Sequence, residues 1–301
     1  MTATLDWYGC STFRFLVAGL TVFLDAYIDR TPEAEGTGLS ADDIDSCDWI
    51  VVGHSHFDHL WGAERIMANT SARLIGSYES IRVMEAAGVP VDRMICVAGG
   101  ETVDLGNDVK VSIYPSQHSC VWSHEQMGQP DEVCIGELGL TWQERNARMI
   151  ELGNYMSSLG DSAVAHLTDG RIGHSTRGDG GALVFVFDTP EGSLLFQDTS
   201  GHWSGVFGQV NADVAIIAAA GRANIDGEPI QGSLADFVAG EVAMVQPRRV
   251  FLAHHDNWLP GFSIATDTSS IRSRIAERVP TAELLEPGYL AGTPVFAGLS
   301  G

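Results

Sequence analysis

The chain has 301 residues, 45% of them hydrophobic, with 17 Lys+Arg against 39 Asp+Glu and a formal net charge of −22. That length suits one large or two small domains, and that charge disfavours nucleic acid or an anionic membrane surface as a partner. No apolar run reaches the roughly 18 residues of a membrane span, Met1–Asp6 lacks the features of a signal peptide, and five scattered cysteines without a Cys-x-x-Cys pair predict a reducing, cytoplasmic setting.

In chain order, Leu5–Phe15 reads as a strand, Ala18-Gly19 as a turn and Thr21–Asp25 as a second strand. A polar loop with Thr31-Pro32 and Gly36-Thr37-Gly38 as breakers follows. Trp49–Gly53 is an apolar run expected to be a buried strand. It delivers His54-Ser55-His56-Phe57-Asp58-His59, and Leu60–Met67 reads as a turn into a helix. Imidazole and carboxylate are good ligands for zinc and similar divalent metals. In an extended segment His54 and His56 point the same way, and the loop after a strand's C-terminal end is where α/β sheets place their sites.

Further on, Arg73–Gly76 is a short strand, Ser80–Ala87 a helix stopped by Gly88 and Pro90, and Val109–Pro115 a strand delivering His118. Cys120 reads as a buried, inert thiol. Within 119–180, Trp142, Met149, Leu152, Met156 and Leu159 recur at helical spacing. The segment is expected to be an insertion forming a lid or pocket wall; a surface elaboration or a homo-oligomer contact is the other reading. Ala182–Asp188 and Ser193–Gln197 form a hairpin across a Pro-x-Gly turn and lead to Asp198. His202, just beyond, is a candidate oxyanion donor or a turn histidine. Asp213–Ala218 is a strand, Leu234–Val245 a helix, and Arg249–Ala253 a buried strand ending at His254-His255. A helix near 268–279 and a strand at 282–286 follow.

His54-x-His56-x-Asp58-His59 is the HxHxDH signature, and with it the chain resembles the metallo-β-lactamase superfamily. The start and end are similar to the branch holding the L-ascorbate-6-phosphate lactonases and N-acyl-phosphatidylethanolamine phospholipases D. The resemblance covers nearly everything except 119–180. It implies an α/β fold, a four-layer αβ/βα sandwich, as one domain over 1–301 with a helical insertion at about 119–180. It implies one metal held by His54, His56 and His118, a second by Asp58, His59 and one of the strand-end histidines, His254 preferred to His255, and Asp198 bridging the two. Asp25 would support the metal loop by hydrogen bonding. Gln197 and Ala26 depart from the glycine and proline usual beside these motifs. Zinc is the expected metal, with Mn2+ or Fe2+ fitting the same donors. The implied activity is hydrolysis of a small-molecule ester, lactone, amide or phosphodiester by a metal-bridging hydroxide, with Asp58 orienting the water, His202 as a catalytic candidate, and Trp122, His124 or His174 touching substrate. The alternatives are a non-hydrolytic metalloprotein of the same fold, iron redox or sulfur-handling, and more remotely a nuclease.

Overall fold

Strands that are apolar on both faces need cover on both sides, and this chain supplies it. The computed structural model describes residues 2–120, 131, 140–170, 180–229 and 232–299. One sheet runs β1 (Thr4–Gly9), β2 (Thr12–Val17), β3 (Leu20–Leu24), β4 (Trp49–Val51), β5 (Arg73–Gly76) and β6 (Met94–Cys96), with β17 (Thr293–Pro294) beyond β1. The other contains β7 (Thr102–Gly106), β8 (Val109–Pro115), β9 (Leu183–Thr189), β10 (Gly192–Gln197), β12 (Val214–Ala218), β15 (Arg249–Ala253) and β16 (Glu283–Leu285), in the spatial order β16-β15-β12-β10-β9-β8-β7. A small third sheet joins β11 (Gly201–His202), β13 (Asn224–Ile225) and β14 (Glu228–Pro229).

Alternation along each strand builds three apolar layers. Val22 and Leu24 of β3, with Phe13 and Phe15 of β2, meet Phe185, Phe187, Phe196 and Ile216 between the sheets. Phe23, Ile50 and Leu74 point the other way, onto α1 (Phe57–Leu60), α2 (Ala63–Asn69) and α3 (Tyr78–Ala86). Ala215, Ile217, Val250 and Leu252 cover the outer face of the second sheet. There they pack on α6 (Ser204–Phe207), α7 (Leu234–Val245) and α8 (Ser269–Arg278). The result is the expected four-layer αβ/βα sandwich. Among the described residues no helix is long and apolar enough to cross a membrane.

Strand direction decides where the loops meet. β3 through β6 are parallel neighbours, as are β10, β12 and β15. β8 runs with β10, since both are antiparallel to β9. Asp25, His54, His118, Asp198 and His254 therefore all follow C-terminal strand ends. The Leu183 N–H donates to the Gly53 carbonyl at 2.8 Å, tying the two sheets together at that rim.

Two local expectations are corrected. Leu5–Phe15 is not one strand; it breaks into the antiparallel pair β1–β2. Gly9 (φ +96) and Cys10 (φ +50) both adopt left-handed backbone there, which turns the chain sharply. The second concerns the helical stripe of 142–159: it forms the one helix expected, α4 (Trp142–Ser157), opened by a reciprocal Thr141–Glu144 cap and followed by α5 (Asp161–Asp169), but it is not covered along its length. The stripe is split: Leu152 is buried, with Met156 and Leu159 partly so, whereas Trp142 and Met149 are 81% and 46% exposed.

Candidate metal centre

The end of β4 brings the first donors into place. Gly53 is needed there because a Cβ would stand 2.1 Å from the Asp198 carboxylate, a distance that forces the side chain away. Beyond it, His54 is fully buried, with Nδ1 2.6 Å from Asp198 Oδ2. The rings of His54, His56 and His118 lie 4.6 to 4.7 Å apart, steeply inclined to each other. One ring nitrogen from each lies within 4.8 Å of the others, close enough for one ion. His118 is steadied through Nδ1 by the Ser119 carbonyl at 2.6 Å.

The short α1 turns Asp58 and His59 beside this trio. His59 Nδ1 meets Asp25 Oδ2 at 2.7 Å and Ser11 Oγ at 2.8 Å, and Ser11 donates to Asp25 at 2.6 Å. The other oxygen of Asp25 accepts from the Gly53 N–H at 3.0 Å. Asp25 thus holds the loop from beneath, and His59 Nε2 faces Asp58 Oδ2 at 3.5 Å. His254, in left-handed backbone at φ +64 after β15, places Nε2 3.2 Å from that same oxygen. His255 turns aside and stacks on Trp7 at 4.6 Å and 6°. Asp198 lies between the two groups, with Oδ2 also 3.2 Å from His59 Nδ1.

Burial sets the electrostatics. It lifts the Asp25 carboxyl to about 6 against the pull of His59, and raises Asp198. Burial, helped by the neighbouring imidazoles His59 and His118, lowers His54. Burial alone would lower His59 too, but Asp58, Asp25 and Asp198 together carry it well above the usual histidine range. Carboxylates and imidazoles packed this closely compete for protons, which a divalent cation would displace on binding. The donor set fits such an ion: His54 Nε2 and Asp198 Oδ1 are both buried without a protein partner, which native interiors seldom tolerate.

Of the other expected site residues, His202 is held elsewhere. Its Nδ1 lies 2.8 Å from Glu241 and its ring stacks on Phe207 and Phe237, within the helix-covered face of the second sheet. Trp122, His124 and His174 lie outside the described residues. Sequence reading missed Ser11 and Cys10 as neighbours of the cluster, since it ran one strand straight through them. The Gly9-Cys10-Ser11 step was the available signal: a glycine followed by small polar residues between apolar runs. Cys120 is buried, as expected.

No protein-family model matches the chain. In sequence it is similar to a UPF0173 metal-dependent hydrolase of Roseiflexus sp. (strain RS-1), 26% identical over 121 residues, which are 40% of this chain and 49% of that protein. The chain spans about half the length of the curated relatives it matches. In structure it is similar to Igni18, a metallo hydrolase from the archaeon Ignicoccus hospitalis, with TM-score 0.58 and 15% identity over 98% of this chain and 97% of that one. It is also similar to the metallo-β-lactamase fold protein YhfI from Bacillus subtilis, with TM-score 0.53 and 9% identity over 95% and 96% of the two chains. With two facing sheets, helices outside both and the strand-end loops gathered at one rim, this chain is a protein of the metallo-β-lactamase fold with sequence relatives among metal-dependent hydrolases.

Proposed function

We propose that the chain is a metal-dependent hydrolase of a small molecule, with two divalent ions, zinc first among them. His54, His56 and His118 would hold one ion, Asp58, His59 and His254 the other, and Asp198 would serve both. The observation that carries this reading is the convergence of these donors, two of them buried and unsatisfied. Ions bound here would lower the pKa of a coordinated water to about 7 and polarise the bond under attack.

The chain's own residues divide the work by depth. His54, Asp198, Asp25 and His59 are sealed from solvent and fix geometry. Asp58 keeps 12% of its side chain exposed and His254 15%, so they, with the partly exposed His56 and His118, face arriving substrate. Asp58 would then be the carboxylate that orients water and takes its proton. A catalytic role for His202 is not retained, given its engagement with Glu241. The described part of the insertion supports a wall beside the site. Its helices pack with Phe57 and Trp61, which flank Asp58 and His59, and with Trp258 after His254. At the insertion's far end, Gly180 lies against Ser55 and Ser77. Trp122, His124 and His174 remain proposed substrate contacts on the same segment. The acidic surface favours a small substrate over nucleic acid.

The test is turnover by zinc-loaded protein on a panel of lactones, esters, amides and phosphodiesters. Chelator-sensitive hydrolysis of at least one class is expected, the lactone and phosphodiester classes first, given the branch the sequence resembles. Iron retained through purification with no hydrolysis of any class would contradict the reading.

A further inference from the structure

The turn between β1 and β2 carries a thiol into the metal centre. Cys10 is fully buried, and its backbone is fixed on three sides. Its N–H donates to Asp256 Oδ1 at 2.9 Å, while its carbonyl accepts from the His254 N–H at 2.7 Å and from Trp7 Nε1 at 3.0 Å. The Cys10 thiol is therefore set relative to His254 by a direct backbone bond. Sγ lies 3.6 Å from the Asp58 carbonyl oxygen, and Sγ, an Asp58 carboxylate oxygen and a His254 ring nitrogen all lie within 4.8 Å of one another. Donors at about 2.0 to 2.3 Å from one zinc stand roughly 3 to 3.5 Å apart, so small adjustments would bring these three onto one ion. The next residue, Ser11, anchors His59 through Nδ1, so one turn serves two donors of the same ion.

We propose that Cys10 is a thiolate ligand of the ion held by Asp58 and His254. On binding, the Sγ–H bond breaks, an Sγ–metal bond forms and the proton leaves to solvent; no electron is transferred. Sulfur joins nitrogen and oxygen at this half of the centre, and that donor set selects zinc over manganese. The inference rests on the binuclear reading above. The competing role for Cys10 is packing alone, since it also belongs to an apolar cluster with Tyr27 and Trp258.

Cobalt substitution separates the two, because a thiolate on Co2+ gives an intense near-ultraviolet charge-transfer band that imidazole and carboxylate ligands do not. Metal-free protein titrated with Co2+ should bind two equivalents and develop the band with one of them. Cys10→Ser should still bind cobalt but lose the band. A chain carrying Cys47→Ser, Cys96→Ser, Cys120→Ser and Cys134→Ser together should keep it, which decides the matter even if Cys10→Ser fails to fold. Two equivalents bound without a band, or a band that survives Cys10→Ser, would overturn the thiolate assignment and leave the binuclear centre standing. Failure of the wild-type chain to bind cobalt at all would overturn both.

Discussion

His254 and His255 are adjacent in the chain and part company in space, one beside Asp58 and the other stacked on Trp7. Alternation of side chains at a strand end is enough to forbid both from reaching one ion. His254→Ala should therefore weaken metal binding by on the order of tenfold or more, a loss at least as large as removing a ligand's outer partner. His255→Ala should keep the metal and cost about 1 kcal/mol of stability through the lost ring contact. Metal content and thermal unfolding of the two variants check this; the reverse pattern would move the ligand by one residue. At this scale the sequence was most informative where donors crowd together, as in His54 to His59. It was silent where a contact depends on a turn, as with Ser11 on His59. Gly53 lies between: its place before the motif is visible, but only the packed Asp198 carboxylate shows why no side chain fits.

The long strands and α7 were legible because their patterns agree with their surroundings, apolar on both faces for strands such as β12 and β15 and nearly all round for α7. The β1–β2 break was hidden because the apolar pattern resumes two residues later. In α4 helical spacing alone could not tell which end of the stripe finds cover. Only Leu152 and the residues after it reach the Tyr27 cluster, while Trp142 stays outside. The α4–α5 pair has its own titrating contact. Tyr27 Oη lies 2.7 Å from His166 Nε2, and burial, with Arg30 adding to it, pushes the His166 imidazole down to about 4. The folded form thus binds fewer protons than the unfolded chain, whose histidine titrates near 6.5. Stability from this contact is complete above about 6.5 and is lost progressively as pH falls towards 4. The wild-type melting temperature should drop more steeply over that window than that of His166→Gln; parallel curves would show that His166 is not the titrating group.

Across the whole molecule, the fold class was implied by the resemblance that the His54-to-His59 signature carries, and apolar strands alternating with helices agree with it. Composition does not say that β8, β10 and β15 all end at the rim where β3 and β4 end. That is a property of strand order and direction, and it turns residues as distant as His54 and His254 into neighbours. Asp198 is where the two halves of the sandwich meet, packed on Gly53 from one sheet and carried by β10 of the other. The claim that these loops form a single two-ion centre is therefore tested most directly by elemental analysis of the purified wild-type chain and of Asp198→Ala, with folding checked by circular dichroism. Two divalent ions per wild-type chain are expected, with a clear loss of bound metal in the folded variant. Two ions still bound in Asp198→Ala would contradict the claim.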